Sequence, residues 1–315
     1  VTLIRAALAL VAVAAAVTVP GAALAQANAP AAKPSLREGG DKLYFSKDVP
    51  VYKTSWEHYL ALKAKAHGGT KMTFASLPDW SGLWEGDRRL KGWGYAFDLD
   101  EDPDGPPSAP LTPEYLAKFK KKMEDYKKGI EWDNLSFCLP AGFPRWLTEP
   151  RPREFILRPE ETWLSTEQQS EFRRIYTDGR PHVPDDEAYP LWEGDSVGFW
   201  DGQTLVVHTN NLKEGQYQRQ QPDYTDQITT VEEIRRTGPD RIEDRITVYD
   251  PGSLTKPWTT IHTYHRITEP ATLRVNMWSC NENNNVVKTA DGASTFILPG
   301  EPGYKEPSTL GKPPQ

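Results

Sequence analysis

Cysteine is almost missing from this chain: 315 residues hold two, Cys138 and Cys280. That excludes the close-set Cys and His pairs of a structural zinc site, which takes four neighbouring donors. His182 stands among Asp178, Asp185 and Asp186, but the spacing is irregular, and no metal is expected. Glycine-rich phosphate loops and dinucleotide fingerprints are absent as well, so no nucleotide or other cofactor is expected. Basic residues are outnumbered, 37 against 44, for a net charge of −7. Such a surface repels phosphate backbones and anionic lipid, which argues against nucleic acid as the main partner. Long apolar runs are lacking too. The best candidate, Ala6 to Val19, is shorter than the roughly 20 residues that cross a bilayer.

That run has another reading. Arg5 precedes it, a Pro-Gly break follows, and Ala23-Leu24-Ala25 supplies small residues for cleavage. Residues 1–25 therefore read as a signal peptide cut after Ala25, with a periplasmic or secreted product and no membrane insertion afterwards. With Val1 taken as an alternative start codon, the chain reads as a complete bacterial precursor. In an oxidising compartment Cys138 and Cys280 suggest one disulfide. Two buried, unpaired thiols are the alternative, and spacing does not separate the two.

The exported part divides into three. Residues 26–77 read as a tether, Ala/Pro-rich over 27–35, and a helical segment. Residues 78–298 form the main domain, and 299–315 a disordered Pro-rich tail. The first helix spans 55–66, with Ser55 as cap, Trp56, Tyr59 and Leu60 on one side, and Gly68-Gly69 as the stop. A second helix, 113–128, is inserted in the main domain after an acidic, Pro-rich loop over 98–110. Thr112 caps it, Pro113 fills its first turn and Gly129 ends it. Its apolar stripe is Tyr115, Leu116, Phe119, Met123 and Tyr126, with lysines between facing water.

From Phe155 onward the pattern becomes short β segments: 155–158, 161–166, 172–177, 196–200, 204–210, 228–237, 241–249, 258–267 and 272–280. No helices alternate with them, so the expectation is an all-β antiparallel fold. A calycin/lipocalin-like barrel with one or two peripheral helices fits best, and a β-sandwich is the alternative.

Hairpin registers then place side chains. A two-residue turn at Asp201-Gly202 pairs Phe199 with Thr204 and brings Asp195 opposite His208. Gly194 to Gly198 matches the nucleophile-elbow pattern, but strand follows where helix is needed. Alternation also sets Ser196 on the face opposite Asp195 and His208. Ser253 to Lys256 spells another serine motif, but Pro257 forbids the helix it requires. Around Gly238-Pro239-Asp240, opposite charges favour Arg235 beside Glu243 and Glu233 beside Arg245. Glu232 and Asp244 then point among Ile228, Ile234, Ile242, Ile246 and Val248. Two carboxyls in that setting are either general acids and bases or structural groups neutralised by arginine. On the strand 258–267, His262, Tyr264 and Arg266 share a face that lines the lumen if the sheet closes.

Eleven tryptophans are a heavy load. Trp192, Trp200, Trp258 and Trp278 fall near strand ends, where indoles suit the mouth of a cavity, although core packing is the commoner use.

The runs RRIYTDGR (173–180), GDSVGFWDGQTLVV (194–207) and DP…KPW (250–258), with PDWSGLWEG (78–86) and CLPAGFPR (138–145), resemble a large family of secreted bacterial proteins. The resemblance covers about Pro78 to Thr289. It implies export but no particular reaction, since the family has no common established activity. Three positions depart from its pattern: Val183 separates His182 from Pro184, His208 stands where an acidic residue is usual, and Asn281 follows Cys280 where His is common.

These readings converge on a barrel holding a small organic ligand, aromatic, terpenoid or sugar-like, in its lumen. Tyr176, Asp178, His182, His208 and the four tryptophans are the expected ligand contacts. Any catalysis would be cofactor-free acid–base chemistry by a lyase, isomerase or hydrolase. Asp244 or Glu232 would be the base, with His262 and Tyr264 as proton donors. A non-catalytic carrier or envelope interaction module is the competing class.

Overall fold

In the computed structural model the described residues are 52–86, 109–149, 151–219, 221–268, 272–278, 280, 285–298 and 300–304, with the backbone of 44–45. The signal peptide, the tether and nearly all of the acidic loop expected at 98–110 lie outside them. Nine strands form one closed barrel. We label them β1 (Trp84–Gly86), β2 (Arg153–Leu157), β3 (Glu161–Thr166), β4 (Phe172–Tyr176), β5 (Asp195–Asp201), β6 (Thr204–Asn210), β7 (Thr229–Gly238), β8 (Arg241–Tyr249) and β9 (Trp258–Arg266). Each pairs with the next in sequence, and β9 closes on β1. The fold is thus an all-β barrel with peripheral helices, as expected.

One pairing departs from the antiparallel expectation. Strands joined in order alternate in direction, so a closed ring of nine must contain a parallel pair. It falls at β4 and β5, where Ile175 aligns with Ser196 and Tyr176 with Val197. Parallel neighbours need a crossover longer than a hairpin. Here it is the Pro-rich segment 177–194, which carries His182 back along the outer wall.

Alternation separates two chemistries. Inward from the strands point Arg153, Phe155, Leu164, Arg173, Ile175, Val207, Glu232, Ile234, Asp244, Ile246, His262 and Tyr264, all buried. Outward from β5 to β8 point Val197, Phe199, Val206, Val231 and Tyr249, which form a second apolar cluster with Tyr59 of helix α1 (Ser55–Lys65). The cap of α1 is Thr54 rather than Ser55, its side chain accepting from Glu57 N. Ser55 is therefore the first helical residue and turns inward. The buried face holds Ser55, His58 and Tyr59, whereas Trp56 and Leu60 are exposed.

One register differs from the sequence reading. The β5–β6 turn is Gly202-Gln203, so Asp201 pairs with Thr204, and Asp195 aligns with Asn210 while His208 aligns with Val197. A shift of two keeps every side chain on its expected face. Between β7 and β8 the pairs Arg235–Glu243 and Glu233–Arg245 occur as expected, with an irregularity between Arg236 and Gly238. Residues 272–278 form no strand. Of the tail expected at 299–315, residues 300–304 turn back on the preceding segment, with Glu301 N bonded to Leu298 O.

One end of the barrel is covered. There α2 (Pro113–Lys127) and two 3-10 turns, Asn134–Phe137 and Arg145–Thr148, pack with the segments after β6 and β8. Phe119 and Met123 of α2 are buried as expected, but Tyr126 is exposed and Lys122 is buried. Lys122 Nζ donates to Gln221 O at 3.0 Å and to Asp223. Asp133 is the hub of this cap, accepting from Arg145 at 2.7 Å and Arg219 at 2.8 Å. Burial pushes Asp133 up, but the two guanidinium groups outweigh it and hold the carboxyl below its ordinary range.

Cys138 and Cys280 form a disulfide, with Cα atoms 5.6 Å apart. It ties the cap to a segment 142 residues further on. Replacing both cysteines by alanine should cost up to about 5 kcal/mol by the loop-entropy model. Urea unfolding of the double variant measures this directly, and an unchanged midpoint would show that the bridge adds no stability.

Candidate functional site

Three groups of functional side chains stand out: a charged lumen, a hydrogen-bonded chain under α1, and an aromatic cleft at the capped end.

The lumen brings together Glu232, Asp244, His262 and Tyr264, the four residues expected to do acid–base chemistry. Asp244 and His262 are directly opposed on β8 and β9. All four are at most 4% exposed. Two arginines that the sequence reading did not single out complete the set. Arg173 grips Glu232 with both terminal nitrogens, one at 2.9 Å, and bonds Thr209 at 2.8 Å and Ser196 at 3.3 Å. Arg153 lies over the rings of Trp146 and Tyr264, and Arg173 over Phe143. These rings and guanidinium groups fill the lumen from the capped end. Burial, then the Glu232 charge, pushes Asp244 well above the carboxylate range, so it keeps its proton. Burial, then Arg153, depresses His262 to about 3, which leaves it neutral. A second acid pair lies nearer the cap. Glu171 accepts from Ala141 N at 2.5 Å and Gly142 N at 3.1 Å, and burial, then Glu171, pushes the neighbouring Glu193 well above the carboxylate range.

On the outer wall, His182 sits between Asp195 and His208, the pair that hairpin geometry had placed in direct contact. Asp195 Oδ2 to His182 Nδ1, and His182 Nε2 to His208 Nδ1, are each 2.7 Å. His208 Nε2 is 2.9 Å from Ser55 Oγ, which lies 2.7 Å from Thr229 Oγ1. Trp56 sets its ring edge-on to both imidazoles. Burial pushes Asp195 up, but the His182 and Val183 N–H bonds outweigh it and keep the carboxyl below its usual range. Ser55 donates its hydroxyl to Thr229 Oγ1, and its oxygen faces His208 Nε2. The chain is linear, and among the described residues no three His, Cys, Asp or Glu converge as metal ligands.

The cleft at the capped end has a volume of about 790 Å³. Tyr115 and Lys118 of α2, Trp132, Phe137, Trp192, Lys213, Gln216 and Lys288 are among the groups lining it. Trp132 Nε1 donates to Asp125 Oδ2 at 3.2 Å, and Lys213 Nζ lies 4.8 Å over the Trp192 ring. Of the expected ligand contacts, only Trp192 is here. Trp200 and Trp258 are core residues, packed against Trp80 and Tyr217. Trp278 is half-buried under Arg151. Asp178 is paired with Arg180 at 2.7 Å, and that guanidinium covers Tyr176.

Strand alternation carried the lumen carboxyls into view, and the same alternation in F-R-R-I-Y sets Arg173 beside Ile175, facing in. Ser55 was legible only as a helix start. The cleft draws on six separated segments, and no local pattern marks it. No protein-family model matches the sequence, and no curated protein matches it.

Proposed function

We propose that this is an exported β-barrel protein that binds a small organic ligand in the cleft at the capped end of the barrel rather than in the lumen. The observation that carries the reading is the contrast between the two spaces. The lumen is occupied by its own fully buried Arg153, Arg173, Phe143 and Trp146, whereas the cleft is hollow, ring-walled and reachable. Sealing Glu232, Asp244, His262 and Tyr264 behind those groups makes them structural partners of the arginines, since a base must reach the proton it removes. The disulfide supports export, because such bonds persist in oxidising compartments.

Titration followed by tryptophan fluorescence tests the reading. At least one compound among aromatics, terpenoids and oligosaccharides should shift or quench emission in the wild type, and the response should fall in Trp192→Ala. A response of equal size in Trp192→Ala would place the ligand elsewhere.

A further inference from the structure

We infer that the ligand of the cleft is an oligosaccharide, an assignment that rests on the ligand-binding reading above and narrows it to one chemical class. Two indoles are held in place before any ligand arrives. Trp132 is fixed through its Nε1 bond to Asp125. Trp192 is backed by Gly142, where an added Cβ would stand 3.2 Å from the ring and 3.0 Å from the Trp192 carbonyl oxygen. That oxygen also accepts from Phe143 N at 2.8 Å. Rings fixed in this way present flat apolar faces without an ordering cost on binding.

The polar groups between the rings are of mixed kind. Lys213 and Lys288 are exposed cations whose contacts among the described residues are to rings. Asp226 and Glu214 are exposed anions on the same lining. Asp223 is held by Lys122, so it offers an acceptor oxygen without net charge. A terpenoid needs a closed apolar pocket, and this cleft is open and half polar. An aromatic acid needs one sign of charge, and the lining carries both. A sugar chain has apolar C–H faces for the indoles and hydroxyls that both donate and accept. It is uncharged, so mixed signs cost it nothing. The cleft also exceeds the space one sugar ring needs, which favours a short chain over a monosaccharide.

Isothermal titration of the full chain with neutral cello-, malto-, xylo- and manno-oligosaccharides of graded length, benzoate, ferulate and geraniol tests the class. One oligosaccharide series should bind, with affinity rising with length until the cleft is full. Trp132→Ala and Trp192→Ala should each weaken it roughly tenfold with unchanged melting curves, as lost ring contacts do. High salt should change the affinity by less than about twofold, since the ligand is uncharged. Binding of ferulate, benzoate or geraniol with none of the sugars overturns the class and leaves the ligand-binding reading standing. Heat from no compound in the panel overturns both.

Discussion

Arg173→Met should lower the free energy of unfolding by about 3–5 kcal/mol, the usual cost of stranding one half of a buried ion pair. Arg173 and Glu232 are both fully buried, and the guanidinium also serves Thr209 and Ser196. Methionine roughly fills the space but leaves the buried Glu232 without its guanidinium partner. A further result follows. Adding Glu232→Gln should restore part of the loss, because the uncompensated charge disappears while Thr209 and Ser196 still lack their donor. Urea unfolding of the single and double variants measures both. A loss below about 1 kcal/mol would mean that the lumen pair is dispensable.

Acid should loosen helix α1 before it unfolds the barrel. Burial, then the neighbouring His182, depresses His208 to about 3, and burial, then Arg245, depresses His58 to about 4, against an ordinary 6.5. The sign follows from proton uptake. Below 6.5 the undocked state, with His58 on the helix and His208 on the wall, binds protons that the docked one refuses, so docking weakens as pH falls, until the docked-state values are reached. Each histidine contributes at most about 1.4 kcal/mol per pH unit in that window. The groups facing this interface are Ser55, Glu57, His58 and Tyr59 from α1, Tyr52 before it, and His182 from the crossover. Asp195, His208, Thr229, Arg245 and Tyr249 face it from the barrel. Hydrogen exchange of α1 amides, corrected for intrinsic rate, should quicken between neutral pH and about pH 4.5. Exchange in β7 and β8 should hold. His58→Asn with His208→Asn should flatten the response. Equal acceleration in helix and barrel would contradict local release.

The barrel was legible because its strands are short, alternate cleanly and are separated by turn chemistry, as at Asp201-Gly202-Gln203 and Gly238-Pro239-Asp240. The inward placement of Glu232 and Asp244 followed from the same alternation, and the need for an arginine partner followed from burying a charge. Local pattern could not show which arginine would arrive, because Arg173 lies 59 positions from Glu232. Nor could it show that nine strands would close, although an odd number accounts for the parallel pair at β4 and β5. The tryptophans divided for a simple reason. Trp200 and Trp258 take inward strand positions and become core, while Trp192 sits in the crossover and reaches the surface. His182 bridges Asp195 to His208, a contact made only because the crossover folds back along the wall.

Paired substitutions at the two candidate spaces test the central claim most directly. In titrations with whichever compound the wild type binds, Trp192→Ala should weaken binding, whereas His262→Asn should alter stability alone and leave affinity as it was. Loss of binding in His262→Asn with full affinity in Trp192→Ala would put the ligand inside the barrel and contradict the account.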